Sequence, residues 1–439
     1  MASLALTPSI AFTDLLRAFT RIGLLSFGGP AGQIALMHRE LVDEHKWIEE
    51  EDFLHALNFC HLLPGPEAQQ LATWIGWRLH GWRGGLAAGL LFVIPGALII
   101  LALSVLYAIA ANLAWVEALF LGVKAAVLAI VVQALLRIAG RALDTGLKRT
   151  LAVAAFVGLF LFDLPFPLIV LGSGVIGMAV AAKRPDLLAL KPGKVGEVLP
   201  DRPWRNTILS IALWGAVWGA PMLLIAVTVG QDHVLWEIGA FFSQLAIVTF
   251  GGAYAVLAYM AQEAVQGFGW LRPGEMADGL GLAETTPGPL ILVTQFVGYL
   301  AAFRAPEPFS PFFAGLLGAG LTTWITFAPC FMWIFAFAPW IDRLGNAVRL
   351  KGGLAAVTAA VVGVIANLTA WFALHVLFAS VGQRQFGPMR LYWPDPLSFD
   401  WRAGLLAALA CIMAFGLKWS VLRVLAASAL GGLVLVLVI

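Results

Sequence analysis

Apolar stretches of about 18 to 25 residues recur along nearly the whole chain, the length a helix needs to cross a bilayer core. A soluble fold cannot hide that much apolar surface. Charged residues make up 12% of the 439, about half the share usual in soluble domains, and 61% are hydrophobic. The expectation is an all-α polytopic membrane protein. The three cysteines, Cys60, Cys330 and Cys411, lie far apart in apolar segments and form neither a disulfide framework nor a CxxC site. The N-terminal residues show no basic region ahead of a short apolar core, so no signal peptide is expected. Nothing in the chain points to nucleic acid, to a cofactor or to catalysis, and the net charge of +2 selects no partner.

The chain repeats itself. FGG stands at 27–29 and 250–252, PGP at 64–66 and 287–289, with Trp47 and Trp270 between, all at a spacing of 223 residues. Across 27–66 and 250–289, 12 of 40 positions are identical. The expected organisation is an N-terminal transporter repeat (1–182), a polar linker with a connecting transmembrane helix (183–230), and a C-terminal repeat (231–439).

Spans are expected near 12–37, 53–77, 84–110 and 118–139, then a short pair at 151–162 and 166–182. After a span at 207–230, the second half gives 234–260, 276–303, 311–340 and 353–378, with a short pair at 403–417 and 424–439. The short pairs fall below a comfortable crossing of about 20 residues. With the N-terminus in the cytoplasm, most Lys and Arg fall on the cytoplasmic side, among them Arg78 and Arg83, while the acidic run 49–52 falls outside. The halves then enter the membrane from opposite sides. Inverted-topology repeats of about six segments each, with broken helices at the centre, are a transporter architecture whose site lies near the midplane.

Gly and Pro clusters at membrane depth are tolerated where the freed backbone is buried in protein or lines a wet cavity. Each FGG and PGP is expected to end one half-helix and start another, with Pro66 and Pro289 in the first turn. Helix N-termini carry about half a positive charge each, so four would sum to about +2 and suit a small dianion. The candidate substrate-binding residues are Gly28, Gly29, Pro30, Gly251, Gly252, Pro64, Gly65, Pro66, Pro287, Gly288, Pro289, Thr285, Thr286, Lys124 and Gln69. Against this stands ordinary use of Gly and Pro for packing and kinks. Glu67 and Glu284 are candidates for proton coupling or gating, because an ionisable group inside a span is a functional candidate by default. Hydrogen bonding that pins the broken backbone is the plainer alternative. Lys124 either faces the site or snorkels outward. The histidines at 38, 45, 55 and 61, near Cys60, lack a familiar ligand spacing, so no metal is expected.

The segments SFGGP (26–30), LLPGPEAQQLATWIGW (62–77), TFGG (249–252) and ETTPGPLILVTQFVGYLAAF (284–303) resemble the chromate ion transporter family, in its long two-domain form, over essentially the whole chain. The resemblance implies efflux of chromate across the bacterial cytoplasmic (inner) membrane, conferring chromate resistance, with sulfate as a competitor. A carrier for sulfate or another small anion, or an anion channel, remains the alternative. The partners implied are a chromate or sulfate-like dianion and membrane lipid; a homodimer is left open. Ala253 stands where Pro30 does, so the two halves need not bind equally.

Overall fold

The computed structural model describes residues 10–27, 29–111, 113–190, 204–250, 253–341 and 347–437. Gly28, Gly251 and Gly252 therefore lie outside the described residues. Six of the helices described are long and apolar enough to cross a membrane: Glu67–Ala110, Ala114–Ala142, Phe166–Lys183, Trp204–Thr228, Pro311–Trp340 and Val348–Leu377. The chain is an all-α polytopic membrane protein, as its composition requires.

The expected spans 12–37, 53–77, 234–260 and 276–303 are not broken rods. Each turns back on itself. Helix α1 (Phe12–Leu25) ends in an inverse γ-turn, in which Phe27 N donates to Leu25 O at 2.9 Å and Ser26 has φ −76°, ψ 71°. Helix α2 (Gly29–His38) then runs on through a π-helical turn, Arg39–Glu44. The Arg21 guanidinium meets the Glu40 carboxylate at 3.3 Å. Along a straight path their backbones would be about 28 Å apart, so α2 must lie back along α1. Helix α3 (Glu50–Cys60) starts where α2 finishes, since His38 packs on Phe53 and pairs with Glu50.

Helix α4 (Glu67–Ala110) also reverses, at His80 (φ −136°, ψ 25°) and Gly81 (φ 60°, ψ −154°). Only glycine adopts that second conformation readily. Its arms, 67–79 and 82–110, pack antiparallel and in near backbone contact. A Cβ on Gly76 would sit 2.2 Å from Gly84 O, and one on Gly89 2.4 Å from Thr73 Oγ1. Helix α1 runs parallel to the second arm, with Phe12 against His80 (5.5 Å between rings) and Gly23 against Leu91 and Pro95. Residues 12–79 thus form two re-entrant hairpins that enter and leave by one face. The acidic run 49–52 lies on the same face as Arg78 and Arg83, not opposite them as expected. The reversal also brings Arg39 and Lys46 to that face, so its basic character is kept.

Helix α5 (Ala114–Ala142) returns across the membrane, followed by α6 (Gly146–Phe162), α7 (Phe166–Lys183) and the connecting α8 (Trp204–Thr228). The second half repeats the hairpins. Helix α9 (Val234–Val248) ends in the same γ-turn, Phe250 N to Val248 O at 3.0 Å, with Thr249 at φ −75°, ψ 87°. Helix α10 (Ala253–Gln262) again runs into a π-helical turn, Glu263–Gly267, and folds back so that Phe241 reaches Phe268 (5.3 Å). Helix α11 (Pro273–Thr285) packs antiparallel to α12 (Val293–Arg304), tied by the Arg304–Glu275 ion pair at 2.6 Å. Helix α13 (Pro311–Phe337) is antiparallel to α12 through Gly298 and Gly318. It is also antiparallel to the second arm of α4, with Phe335 at Gly85 and Phe331 at Gly89.

The halves exchange partners at their edges. Helix α14 (Val348–Leu377) packs on α7, Gly352 against Gly177, and α16 (Val421–Leu437) packs on α5, with Ser428 O 1.8 Å from where a Gly122 Cβ would stand. Small residues allow such approaches, which dispersion and packing favour in lipid. Between α14 and α15 (Trp401–Cys411) lies a β-hairpin, β1 (Val381–Phe386) with β2 (Met389–Pro394), which the sequence reading did not anticipate. Arg390 anchors it to Asp163 in the α6–α7 turn at 2.5 Å.

Candidate functional site

The hairpin tips meet. Gly65 N donates to Thr249 O at 2.9 Å, and Gly288 N donates to Ser26 O at 2.9 Å. Both donor and both acceptor positions are related by the repeat spacing of 223. Each PGP tip is therefore bonded to the γ-turn of the other half. The acceptors are carbonyls just past the ends of α1 and α9, which lack an intrahelical donor. Gly65 and Gly288 have φ of 112° and 96°, values open to glycine and costly for any residue with a Cβ.

Side chains hold the two PGP tips differently. Gln70 Nε2 donates to Pro64 O at 2.6 Å, clamping the first tip onto its own helix. Gln33 Nε2, from α2, donates to Gly288 O at 2.6 Å and so reaches into the second half. Gly65 sits against Cys330 Sγ of α13, and Pro287 O lies where a Cβ on Gly96 of α4 would come within 2.2 Å of it. Ser26, Gln33, Gly96, Thr249 and Cys330 are not among the site residues expected from sequence. The hydroxyl ahead of each FGG, Ser26 and Thr249, was the available signal.

Among the named candidates, Gly29 opens α2 at φ 70° and Pro30 is its second residue. Pro66 and Pro289 stand one position before the expected first turn, as the residues capping 67–110 and the short 3₁₀ turn Leu290–Leu292. Glu67 is the first residue of α4 and half-buried, at a helix N-terminus, where negative charge is favoured. Glu284 is buried in the last turn of α11. Thr285 and Thr286 turn their hydroxyls back to Leu282 O (2.8 Å) and Ala283 O (3.2 Å). Gln69 is fully buried, its Nε2 3.4 Å from Thr73 Oγ1, and its Oε1 has no protein donor among the described residues. Thr294 Oγ1 and Gln295 Oε1, on α12, are in the same condition.

Hairpin geometry also changes the electrostatics expected from the breaks. Each tip joins the end of one helix to the start of another, so four helix C-termini accompany the four N-termini. Their partial charges offset in large part, and the sum of about +2 does not survive. What remains at the tips is directional: amide donors of first turns, beside carbonyls partly occupied by the bonds from Gly65 and Gly288.

Lys124 lies away from the tips. Its Nζ faces Asp278 Oδ1 at 3.3 Å, in a cavity of about 340 Å³ that includes Tyr107, Glu117 and Arg272 but no FGG or PGP residue. Glu40, Glu44 and His45 bring ligand atoms within 4.8 Å of one another, with Arg21 beside Glu40. A guanidinium there opposes a cation.

A family model described as Chromate transporter matches residues 13–178 and 236–433. The chain belongs to the chromate transporter family. The two matches begin at the spacing of the repeated motifs. The chromate transport protein of Pseudomonas aeruginosa is 36% identical over 376 residues, 83% of this chain and 82% of that one. A probable chromate transport protein of Synechococcus elongatus is 28% identical (82% and 84% covered), and the chromate transport protein of Cupriavidus metallidurans is 27% identical (82% of each). No solved structure matches. Members of this family are transporters, so the chain is a membrane transporter and not an enzyme, and its family points to an oxyanion substrate.

Proposed function

We propose that this transporter exports chromate from the cytoplasm across the cytoplasmic membrane by alternating access, with residues 1–182 and 231–439 as inverted repeats around 183–230. The N-terminus is cytoplasmic in this reading, and chromate resistance follows from export. The observation that carries it is the reciprocal pair of backbone bonds, Gly65 to Thr249 and Gly288 to Ser26. Matched contacts in which each half holds the other's PGP tip support two equivalent halves that move against each other around a shared site. The antiparallel pairing of the second arm of α4 with α13, each parallel or adjacent to its own first hairpin, supports the inverted relation.

The energies are compatible with switching. Each backbone bond contributes about 1 kcal/mol net, so parting both tips costs about 2 kcal/mol. A dianion leaving a cell that is negative inside gains about 4.6 kcal/mol per 100 mV. Oxyanion donors in this reading are the first-turn amides beside Gly29, Glu67 and Leu290, with Pro30, Pro64, Pro66, Pro287 and Pro289 fixing the turns. Glu67, competing for the amides of its own helix, acts as a gate.

Everted membrane vesicles test the reading. Chromate uptake should saturate, be competed by sulfate and accompany growth of expressing cells on chromate. Sulfate uptake without chromate resistance would replace the substrate, and flux that does not saturate would replace the carrier by a channel.

A further inference from the structure

Asp278 is a deeply buried acid away from the tips, as is Glu40, whose carboxylate meets the Arg21 guanidinium. Asp278 sits on α11, two turns before the PGP tip, and only 5% of its side chain is exposed. Tyr107, on the second arm of α4, donates to its Oδ2 at 2.7 Å. Its Oδ1 has the Lys124 ammonium of α5 at 3.3 Å. Lys124 is 24% exposed, and it lines the cavity of about 340 Å³ together with Asp278, so a partly exposed lysine and a buried carboxylate share one open space.

The other charged groups do not take over the lysine's part. Glu117 of α5 and Arg272 and Glu275 at the start of α11 line the same cavity. Glu275 is already paired with Arg304 of α12. Helices α14 and α16, which also pack on α11, carry Arg349 and Lys351, and Arg423, in their first turns, with His375 bonded to Trp371 O. A carboxylate in such a place keeps its charge only while a cation stays beside it; otherwise burial favours the neutral acid. The cation belongs to the first half and the carboxylate to a re-entrant hairpin of the second.

We propose that Asp278 is a proton-binding site of the transport cycle, reached through the Lys124 cavity and coupled to movement of the second PGP hairpin against α4 and α5. This rests on the transport reading above. In the docked state the carboxylate pairs with the ammonium. When the hairpin moves away, a proton from cavity water adds to Asp278, giving a neutral acid and leaving the Lys124 ammonium charged and solvated.

Two measurements on the full chain test it. In proteoliposomes with clamped voltage and an internal pH dye, chromate flux through the parent protein should move protons, and Asp278→Asn should abolish that proton movement. Protons that still move with chromate in Asp278→Asn, or chromate flux without protons in the parent, would overturn the proposal. The second measurement needs no substrate. The infrared carbonyl band of a protonated carboxylic acid should titrate in purified protein, vanish in Asp278→Asn, and shift its midpoint to higher pH in Lys124→Met. Failure of chromate flux with this band present would sink the transport reading alone; absence of an Asp278 band would sink the proton site. Should Asp278→Asn fail to fold, the Lys124→Met midpoint decides: no shift means a merely structural ion pair.

Discussion

Gly96→Ala separates local preference from tertiary contact. Gly96 lies in the interior of the second arm of α4, with Pro95 before it. By helix propensity alone alanine should stabilise such a position by about 1 kcal/mol. The structure forecasts the reverse. A Cβ there would stand 2.2 Å from Pro287 O, 2.7 Å from Leu292 Cδ1 and 3.2 Å from Gly288 Cα. An ordinary carbon–oxygen contact needs roughly 1 Å more, going by usual non-bonded separations. Pro287 O is backbone and cannot rotate away, so the whole tip must withdraw. That withdrawal breaks the 2.9 Å bond from Gly288 N to Ser26 O, in a region where both partners are buried. Leaving such groups unpaired costs about 1–3 kcal/mol, equivalent to about a 5- to 150-fold loss of the docked tip. Gly320→Ala in α13, where an added Cβ meets nothing within 4 Å, is the control and should be neutral or mildly stabilising. The assay is chromate uptake by everted vesicles at matched expression, alongside thermal unfolding in detergent. Gly96→Ala with uptake and unfolding both equal to those of Gly320→Ala would refute the tip-contact reasoning.

Further outcomes follow from the same contacts. Gly288→Ala should impair uptake more than Gly65→Ala. Each adds about 1–2 kcal/mol of left-handed strain; the Gly65 Cβ comes closer to its neighbours, 2.9 Å from Cys330 Sγ and 3.0 Å from Gln70 Nε2, but those are side-chain ends that can turn, whereas the Gly288 Cβ stands 3.3 Å from Gly96 Cα, backbone that cannot. Gln33→Leu removes the 2.6 Å donor to Gly288 O and should lower stability by about 1–3 kcal/mol in a denaturation series, while Gln33→Glu, which has no amide donor, should be no better. Single cysteines at Glu49 and Arg83, both exposed, should react with an impermeant thiol reagent from the same side of the membrane. Labelling from opposite sides would restore two full crossings and remove the re-entrant hairpins.

The sequence by itself determined the solvent, the repeat and the places where helices stop. Hydropathy measures how long the chain stays in oil, the 223-residue spacing matches one FGG and PGP set to the other, and Gly and Pro mark where backbone bonding is interrupted. The family was legible from the same motifs. Direction was not. A stretch such as 12–37 has the same composition whether it continues through the bilayer or turns back at its middle, because hydropathy sums along the chain and carries no sign. The reversal is decided by contacts between distant residues: Arg21 with Glu40, Gly76 with Gly84, Gly279 with Phe296. Those contacts also settled which polar groups face one another. Lys124 had no visible partner in the sequence, since Asp278 lies in the other half, and Gln33 and Gly96 looked like ordinary helix residues. Tertiary structure made the first a clamp and the second the seat for the opposite tip, because side-chain reach and backbone clearance are properties of packed surfaces and not of the segments that supply them.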